Sequence, residues 1–153
     1  MQTIEALLAE HPFFTGLEPQ YVQAIAGLAA NAHYEAETYI FLEGKPAKHF
    51  YIIQEGKVAL ETFAAERGRI IIETIEAGEV LGWSWLFSPY RWHFAARAVE
   101  PTKAIMLDAA GLRAKAEEDH DFGYELVKRV AQIMMQRLQA TRLQLLDMYG
   151  TRV

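Results

Sequence analysis

Residues with a capacity for ligand chemistry are concentrated between Gly78 and Ala98, in the sequence GEVLGWSWLFSPYRWHFAARA. A glycine turn containing Gly78 and Gly82 leads into one predicted helical turn. Pro89 ends that turn, and a short strand is predicted from Phe94. Backbone N–H groups at the start of such a turn can bind an anion. Aromatic rings occupy the positions where an anion-binding loop usually carries charge, so the chemistry of this stretch is unusual.

Three polar side chains in this stretch could contact an anion directly. Arg91 is the strongest candidate, and His93 is weaker because imidazole is only partly protonated near neutral pH. Ser84 could donate to a phosphate, although capping of the local turn is the more common role of such a serine. Together with the glycine and the tryptophans, the candidate ligand-binding residues are Gly82, Trp83, Ser84, Trp85, Arg91, Trp92 and His93.

The aromatic rings allow two interpretations. In the first, which is the more frequent outcome, they fill the interior, because aromatic side chains dominate the energetics of cores. In the second, they line a pocket and stack on a flat ligand whose anionic edge meets Arg91 or His93. Both interpretations concern the same five rings, those of Trp83, Trp85, Phe87, Trp92 and Phe94.

Composition restricts the classes to which the protein can belong. The chain has 153 residues, of which 52% are hydrophobic and 23% are charged, as in ordinary globular proteins. Its formal net charge of −5 argues against non-specific binding of polyanions. The absence of cysteine excludes disulfides, thiolate metal sites, iron–sulfur clusters and cysteine nucleophiles. With no secretory signal and no apolar run of about 18 residues, we expect a cytoplasmic protein that does not enter a membrane.

The side-chain patterns of enzymes and metal proteins are missing from the sequence. There is no Gly-x-Ser-x-Gly motif, and neither Ser84 nor Ser88 has a convincing general base nearby. A metal-dependent β-barrel of the cupin type needs clustered ligands, whereas the histidines are scattered and form no His-x-His pair. We therefore predict no catalytic residue, no metal site and no enzymatic activity. A haem ligated by His93 has only a lone histidine in its favour. The histidines are His11, His33, His49, His93 and His120.

Secondary-structure signals divide the chain into three zones of one predicted domain, residues 1–153. In residues 1–35, Thr3 caps a predicted helix through Ala9, and Pro19 starts a second helix. Residues 36–110 are predicted to form a β-roll, because glycines every 10 to 12 residues separate short β-branched and aromatic runs, with Arg67-Gly68 as a hairpin tip. The apolar residues of the second helix are Tyr21, Val22, Ile25, Leu28 and Ala29, and the predicted strands are Tyr39–Leu42, Phe50–Ile53, Val58–Phe63, Ile70–Ile75, Phe94–Val99 and Ala104–Leu107.

Residues 111–150 are predicted to be helical, with a short helix over Leu112–Glu118 and a long helix to Tyr149. Asp119 or Asp121 offers the N-cap and Gly150 the C′ residue. A helix of about 28 residues spans roughly 42 Å, more than such a domain covers, so we predict a homodimer through one of two apolar stripes. The alternative is that both stripes pack on the core of their own domain. The first stripe, the seam, consists of Val127, Ala131, Met134, Leu138, Thr141, Leu145 and Met148, and the second of Leu126, Val130, Ile133 and Ala140.

The order of helices, β-roll and long helix resembles the cyclic nucleotide-binding domain of the catabolite activator and fumarate–nitrate regulator family. Three segments carry the resemblance, which covers about residues 10–149. Phe41 and Lys45 depart from the pattern of the second segment, the first signature. The segments are the lead-in His11-Pro12-Phe13-Phe14-x-Gly16-Leu17, the first signature Ile40-Phe41-x-x-Gly44-x-x-Ala47-x-x-Phe50-Tyr51-Ile52-Ile53-x-x-Gly56, and Gly78-Glu79-Val80-Leu81-Gly82, which is similar to the start of the family's phosphate-binding cassette. Residues 78–98 are called the cassette below.

The cassette departs from the family pattern at both positions that hold the ligand. The resemblance implies a Glu that accepts the ribose 2′-hydroxyl and an Arg that pairs with the cyclic phosphate. Trp83 stands at the Glu position, Arg91 is displaced in a region about one residue shorter than usual, and Arg97 matches a later strand residue. Each lost charge-assisted contact removes about 1.5–3 kcal/mol. We therefore expect cyclic AMP to bind only weakly, if at all, and we name no other cofactor.

The resemblance implies a regulatory domain rather than an enzyme. We expect another small-molecule ligand or a protein partner to act through the cassette on the long helix. The alternatives are a ligand-free interaction or scaffold protein with an aromatic-filled pocket, and a weak cyclic AMP effector domain. Family transcription factors continue into a helix-turn-helix module, which we do not expect in this chain. Because acidic residues and glutamines interrupt the basic residues of the long helix, direct DNA binding is not expected either.

Overall fold

A computed structural model describes residues 3–150 of the chain. Within this range, two helices are followed by seven strands and two further helices, and two single 3₁₀ turns, Pro12–Phe14 and Ser84–Leu86, lie among them. The helices are α1 (Ile4–Glu10), α2 (Pro19–Ala26), α3 (Ala109–Glu118) and α4 (His120–Met148), and the strands are β1 (Ala29–Tyr34), β2 (Tyr39–Phe41), β3 (His49–Glu55), β4 (Lys57–Ala64), β5 (Gly68–Glu76), β6 (Ala95–Ala98) and β7 (Thr102–Asp108).

The two N-terminal helices begin where the sequence predicts. The Thr3 hydroxyl accepts a hydrogen bond from the Ala6 amide at 3.1 Å, which satisfies one of the free N–H groups at the start of α1. Pro19 is the first residue of α2, where its missing N–H costs nothing. The end of α1 lies at Glu10, one residue beyond the predicted Ala9.

Strand β1 corrects the predicted boundary of the β-roll. The apolar spacing of the second helix predicts helical structure as far as Leu28 and Ala29, but α2 ends at Ala26 and Ala29 is the first residue of β1. The β-structure therefore begins at residue 29 and not at residue 36. Alanine-rich sequence has little preference for a strand. Strand β1 forms because it pairs antiparallel with β7 over its full length, so a partner distant in sequence decides its structure.

The seven strands pair antiparallel in two sheets, with the orders β1-β7-β3 and β2-β6-β4-β5. The predicted β-roll is thus confirmed, and the ends of its predicted strands move by one or two residues. Residues of both sheets build the core, and those with no exposed surface include Ile52, Ile53, Val58, Ile75, Ile105 and Leu107.

Glycines with positive φ make the turns between these strands. Gly56 has a φ of +104°, and a Cβ atom there would lie 2.7 Å from the Pro101 carbonyl oxygen and 2.5 Å from Thr102 Oγ1. No other amino acid fits that turn without moving backbone. Gly68, with a φ of +70°, follows the turn between β4 and β5, which confirms the hairpin tip at Arg67-Gly68.

The described chain divides into two compact units between residues 115 and 116. In the second unit, the Asp119 carboxylate accepts hydrogen bonds from the amides of Asp121 and Phe122 at 3.1 and 3.2 Å, which confirms a predicted N-cap of α4. Gly150 has the positive φ, +80°, that suits a C′ residue. A single domain over residues 1–153 stays a prediction. No helix within residues 3–150 combines the length and the apolar character that crossing a lipid bilayer requires.

Candidate functional site

Both ends of the cassette are held by hydrogen bonds to backbone elsewhere in the roll. Near its start, the Leu81 amide donates to the Tyr51 carbonyl of β3 at 3.1 Å. Near its far end, the Trp92 amide donates to the Lys45 carbonyl at 3.0 Å. Lys45 belongs to the first signature, so two motifs that are separate in the sequence form one supporting structure.

The centre of the cassette is a single 3₁₀ turn over Ser84–Leu86, as the sequence predicts. Gly82 enters it with a φ of +128°, and a Cβ atom at this position would lie 3.0 Å from the ring of Phe94. The glycine is therefore needed both for its backbone angle and for the space taken by a ring. Beyond Pro89 the chain enters β6 at Ala95, one residue after the predicted start.

Trp85 is part of the core. Its side chain has no exposed surface, and its ring stacks on Phe50 with 4.7 Å between the ring centroids. The indole N–H donates to the Gly82 carbonyl at 3.2 Å, which also ties the 3₁₀ turn to the glycine before it. Both the apolar surface and the polar group of Trp85 are thus satisfied inside the protein.

Trp92 is buried in a cluster of aromatic rings. Only 3% of its surface is exposed, and it lies parallel to Phe41 with a centroid distance of 3.8 Å and an interplanar angle of 6°. The rings of Phe94 and Tyr51 complete the cluster, 6.1 and 6.3 Å from Trp92. Two rings at 3.8 Å are in direct contact, so no flat ligand fits between them. Burial raises the pKa of Tyr51 to about 12, and the neutral phenol adds no charge to the cluster at physiological pH.

The remaining polar candidates lie near the start of the 3₁₀ turn. Trp83, half-buried, precedes the turn as its N-cap residue but makes no capping hydrogen bond with its side chain. Ser84 is buried, and its hydroxyl lies 3.4 Å from Nδ1 of the exposed His93, within hydrogen-bonding distance. The structure therefore brings Ser84 and His93 together and leaves the imidazole in contact with solvent.

Arg91 is exposed and is turned toward the first-signature loop. Its Nη1 donates to the Gly44 carbonyl oxygen at 2.9 Å. This hydrogen bond uses one of the five N–H donors of the guanidinium. The role of Arg91 as a ligand for an anion stays a prediction.

Arg97 is buried and lies between a buried carboxylate and an exposed one. Two of its nitrogens, Nε and Nη2, contact the Glu61 carboxylate at 2.9 and 2.7 Å, and Nη1 contacts Glu37. Glu61 has no exposed surface and also accepts a hydrogen bond from the Tyr39 hydroxyl at 3.0 Å. The hydrogen bond with Glu61 raises the pKa of Arg97 above its usual value, against the effect of burial. The only sequence signal of this group is a charged residue, Glu61, inside an apolar strand.

A side chain outside the cassette also reaches it. Arg113, which is half-buried on α3, donates from Nη1 to the Trp85 carbonyl oxygen at 2.6 Å. Its guanidinium carbon lies 3.9 Å from the centroid of the Tyr90 ring, a cation–π arrangement. No local sequence pattern indicates these contacts, because they join residues 28 and 23 positions apart.

The sequence of the β-roll matches a known family. The cyclic nucleotide-binding domain family matches residues 31–119, more than half of the chain. The chain belongs to the cyclic nucleotide-binding domain family. The resemblance found in the first signature and at the start of the cassette is therefore confirmed, and members of this family are typically regulatory domains rather than enzymes.

Solved structures agree with the family assignment. A candidate cyclic nucleotide-binding protein from Geobacter metallireducens GS-15 is 26% identical, with a TM-score of 0.80 over 90% of this chain and 99% of that one. The sensor domain of the transcriptional regulator DNR from Pseudomonas aeruginosa shares the fold at 19% identity, with a TM-score of 0.71 over 88% of this chain and 91% of that one. The catabolite activator protein of Thermus thermophilus shares the fold at 24% identity, with a TM-score of 0.70 over 88% of this chain and 61% of that one. A search of curated proteins finds no match.

Proposed function

We propose that this cyclic nucleotide-binding-type regulatory domain has lost tight binding of cyclic nucleotides and responds to another ligand or to a protein partner. The direct contact of Trp92 with Phe41 carries the proposal, because it leaves no room for a flat base between these two rings. The sequence supports it too, since no Asp or Glu occurs between Glu79 and Glu100 to accept a ribose hydroxyl.

The arginines support the same conclusion. Arg97 is a buried cation of the cassette, but Glu61 and Glu37 already neutralise it. A phosphate could displace the exposed Glu37, but the two nitrogens that contact Glu61 would stay paired unless a wholly buried carboxylate also moved, and separating a buried ion pair costs about 3–5 kcal/mol. Arg91 is available but solvent-exposed, where a charge pair contributes only about 0–1 kcal/mol.

A second candidate function is a scaffold whose pocket is permanently closed by its own rings. The complete burial of Trp85 and the near-complete burial of Trp92 favour it, because neither ring presents a surface for stacking. In this case the protein acts through its surfaces alone, and no small molecule changes its stability.

A thermal-shift screen with cyclic AMP, cyclic GMP and small organic anions separates these candidates. A ligand at 100 times its dissociation constant adds about 2.7 kcal/mol to the free energy of unfolding. Regulation by a small molecule predicts that at least one compound other than a cyclic nucleotide raises the melting temperature by several degrees. An unchanged melting temperature with every compound would support the scaffold. A large rise in melting temperature with micromolar cyclic AMP would contradict both candidate functions.

We further propose that α4 is the output element and that two copies pair through it. Its seam residues are exposed in the single chain, with Val127, Leu138 and Leu145 about half accessible to solvent. Exposed apolar residues at four- and three-residue spacing are typical of a helix that packs on another helix. A ligand or partner at the cassette then shifts the helix arrangement by its differential affinity for the two states.

The dimer has a direct test in the double variant Leu138→Glu, Leu145→Glu. We expect a folded monomer by light scattering, because burying four carboxylates in a paired seam is highly unfavourable. The control, Gln136→Glu with Gln139→Glu, adds the same charge away from the seam and should remain dimeric. A wild-type protein that is monomeric at tens of micromolar would contradict the proposal.

A further inference from the structure

Arg113 contacts both ends of one short loop. The loop is the part of the cassette from Trp85 to Tyr90, which contains the end of the 3₁₀ turn and Pro89. Arg113 donates to the carbonyl at the first of these residues, at 2.6 Å, and covers the ring of the last, at 3.9 Å. One side chain of α3 thus contacts both ends of the loop, so its contacts depend on the conformation of the loop.

The helix that carries Arg113 is anchored at its first turn. The Ala109 amide donates to the Lys48 carbonyl at 3.0 Å, and the Gly111 amide donates to Asp108 Oδ2 at 3.2 Å. A Cβ atom at Gly111 would lie 2.6 Å from Leu28 Cδ2, so α3 is packed against that side chain as closely as a glycine allows. The start of α3 is thus hydrogen-bonded to backbone of the β-roll, whereas Arg113 reaches the loop through its side chain alone.

The other end of the contact, Tyr90, adopts an unusual backbone conformation. Its φ of +57° is rare for a residue other than glycine and persists only where neighbouring contacts hold it. The Tyr90 amide donates to the Phe87 carbonyl at 2.8 Å, and its own carbonyl accepts from Ala47 at 2.7 Å. The guanidinium of Arg113 over the ring is the side-chain contact that completes this support.

The described contacts of Arg113 are weaker than an ion pair, because none of them involves a carboxylate. Among residues 3–150, no carboxylate lies within 4.0 Å of its guanidinium, so a carbonyl dipole and a ring face are its partners. Arg97 shows the opposite arrangement, with two carboxylates around a buried guanidinium. A contact without a counter-ion exchanges more readily than such a buried ion pair.

We propose that Arg113 is a positioning residue that couples the cassette loop to α3. Any movement of the loop must break the contact of Arg113 with Tyr90 or with the Trp85 carbonyl. The α3 helix then loses one of its restraints, and the change passes along the chain to α4, which begins two residues after α3 ends. The inference rests on the proposed function, in which an event at the cassette acts on the long helix.

Hydrogen exchange of the full-length protein, without ligand, tests the coupling by a double-variant cycle. Tyr90→Leu removes the ring, and Tyr90→Phe is the matched control that keeps it. We expect Tyr90→Leu to speed exchange of the α3 amides about two- to fivefold, the effect of losing one cation–π contact, while Tyr90→Phe leaves the rate near that of wild type. Arg113→Ala should speed exchange in α3 and in the cassette loop about tenfold or more.

The decisive comparison is Tyr90→Leu in the Arg113→Ala background, where it should have no further effect on α3. An equal effect in both backgrounds, or none in wild type, would overturn the proposal, because a merely structural role of Tyr90 does not depend on Arg113. If Arg113→Ala does not fold, Arg113→Met serves instead, since methionine keeps a long aliphatic side chain but has neither the charge nor the N–H donors of arginine. Arg67→Ala, in the exposed hairpin turn, controls for loss of an arginine. With no ligand added, the outcome is independent of the thermal-shift screen.

Discussion

The first signature and the cassette each contain a glycine with a positive φ and close neighbours that disfavour a side chain, but the neighbours differ in kind. At Gly56 the neighbouring atoms are a backbone carbonyl and a β7 residue that the fold itself fixes. At Gly82 the nearest atoms belong to the Phe94 and Trp92 rings, side chains that this sequence supplies. The first constraint follows from strand pairing, whereas the second follows from rings that fill the centre of the cassette.

Under the proposed function, this difference separates the fold-determining part of the family pattern from its ligand-binding part. The first signature builds a turn between strands, and its glycine and apolar residues act through backbone angle and burial. The cassette keeps Gly78 and Gly82, and Trp83 stands where the resemblance implies a carboxylate. Under the proposed function, the chain keeps the cyclic nucleotide-binding fold while its ligand-binding residues differ from the family pattern.

The largest effect is expected inside the cassette, from Trp92→Ala. Removing a buried, stacked tryptophan should lower the free energy of unfolding by about 3–5 kcal/mol in urea titrations. Trp83→Ala is the matched control, because Trp83 is only half-buried, and should lose about 1–2 kcal/mol. Equal losses for the two variants would show that Trp92 does not fill the core. The cassette would then not be a region filled by its own rings, and its comparison with the backbone turn of the first signature would be wrong.

In the first signature, Gly56→Ala should lower the free energy of unfolding by about 2–4 kcal/mol. The added methyl group combines a positive φ with contacts below 3 Å to backbone atoms. Gly44→Ala is a sharp control, because its φ of +85° is similar but nothing lies within 4 Å of the added atom, so only the strain of about 1 kcal/mol remains. A larger loss for Gly44→Ala would contradict the assignment of Gly56 as the fixed turn.

The pH dependence of stability should trace to His11 in the lead-in. Burial lowers its pKa, and both ring nitrogens are used: Nδ1 accepts from the Phe13 amide, and Nε2 bonds to the Ile53 carbonyl. Because the unfolded state then binds the proton more tightly, stability is lost as the pH falls below about 6.5, by at most about 1.4 kcal/mol per pH unit. His11→Gln should flatten this dependence between pH 7 and 5 in chemical denaturation.

The exposed His33→Gln variant controls for the loss of any one histidine. A His11→Gln protein that keeps the full wild-type slope would show that the lead-in histidine is not the group responsible.

The sequence predicts the parts of the fold that local chemistry determines. Thr3, Pro19 and Asp119 start helices where capping rules place them, and the glycine turns and the long helix follow in the same way. Strand β1 could not be predicted from its own residues, since Ala29–Tyr34 is stabilised by pairing with β7.

The candidate site also combines features that local sequence determines with features that distant residues determine. Local spacing indicates the cassette turn and its candidate residues, including Arg91 and His93. Contacts across 23 to 60 residues do not follow from spacing, and these include the partners of Arg97 and of Arg113. Whether a ring fills the core or faces a ligand also depends on the tertiary neighbours, as the burial of Trp85 and Trp92 illustrates.

Titration with cyclic AMP, followed by tryptophan fluorescence, tests the central claim most directly. Trp83, Trp85 and Trp92 all lie in the cassette, so an occupied site must change the signal. The account predicts no saturable change at low micromolar cyclic AMP and a dissociation constant of hundreds of micromolar or weaker, a binding free energy near −5 kcal/mol or less favourable. A saturable change at low micromolar concentration that Arg91→Ala abolishes would contradict it and would assign Arg91 as the phosphate ligand.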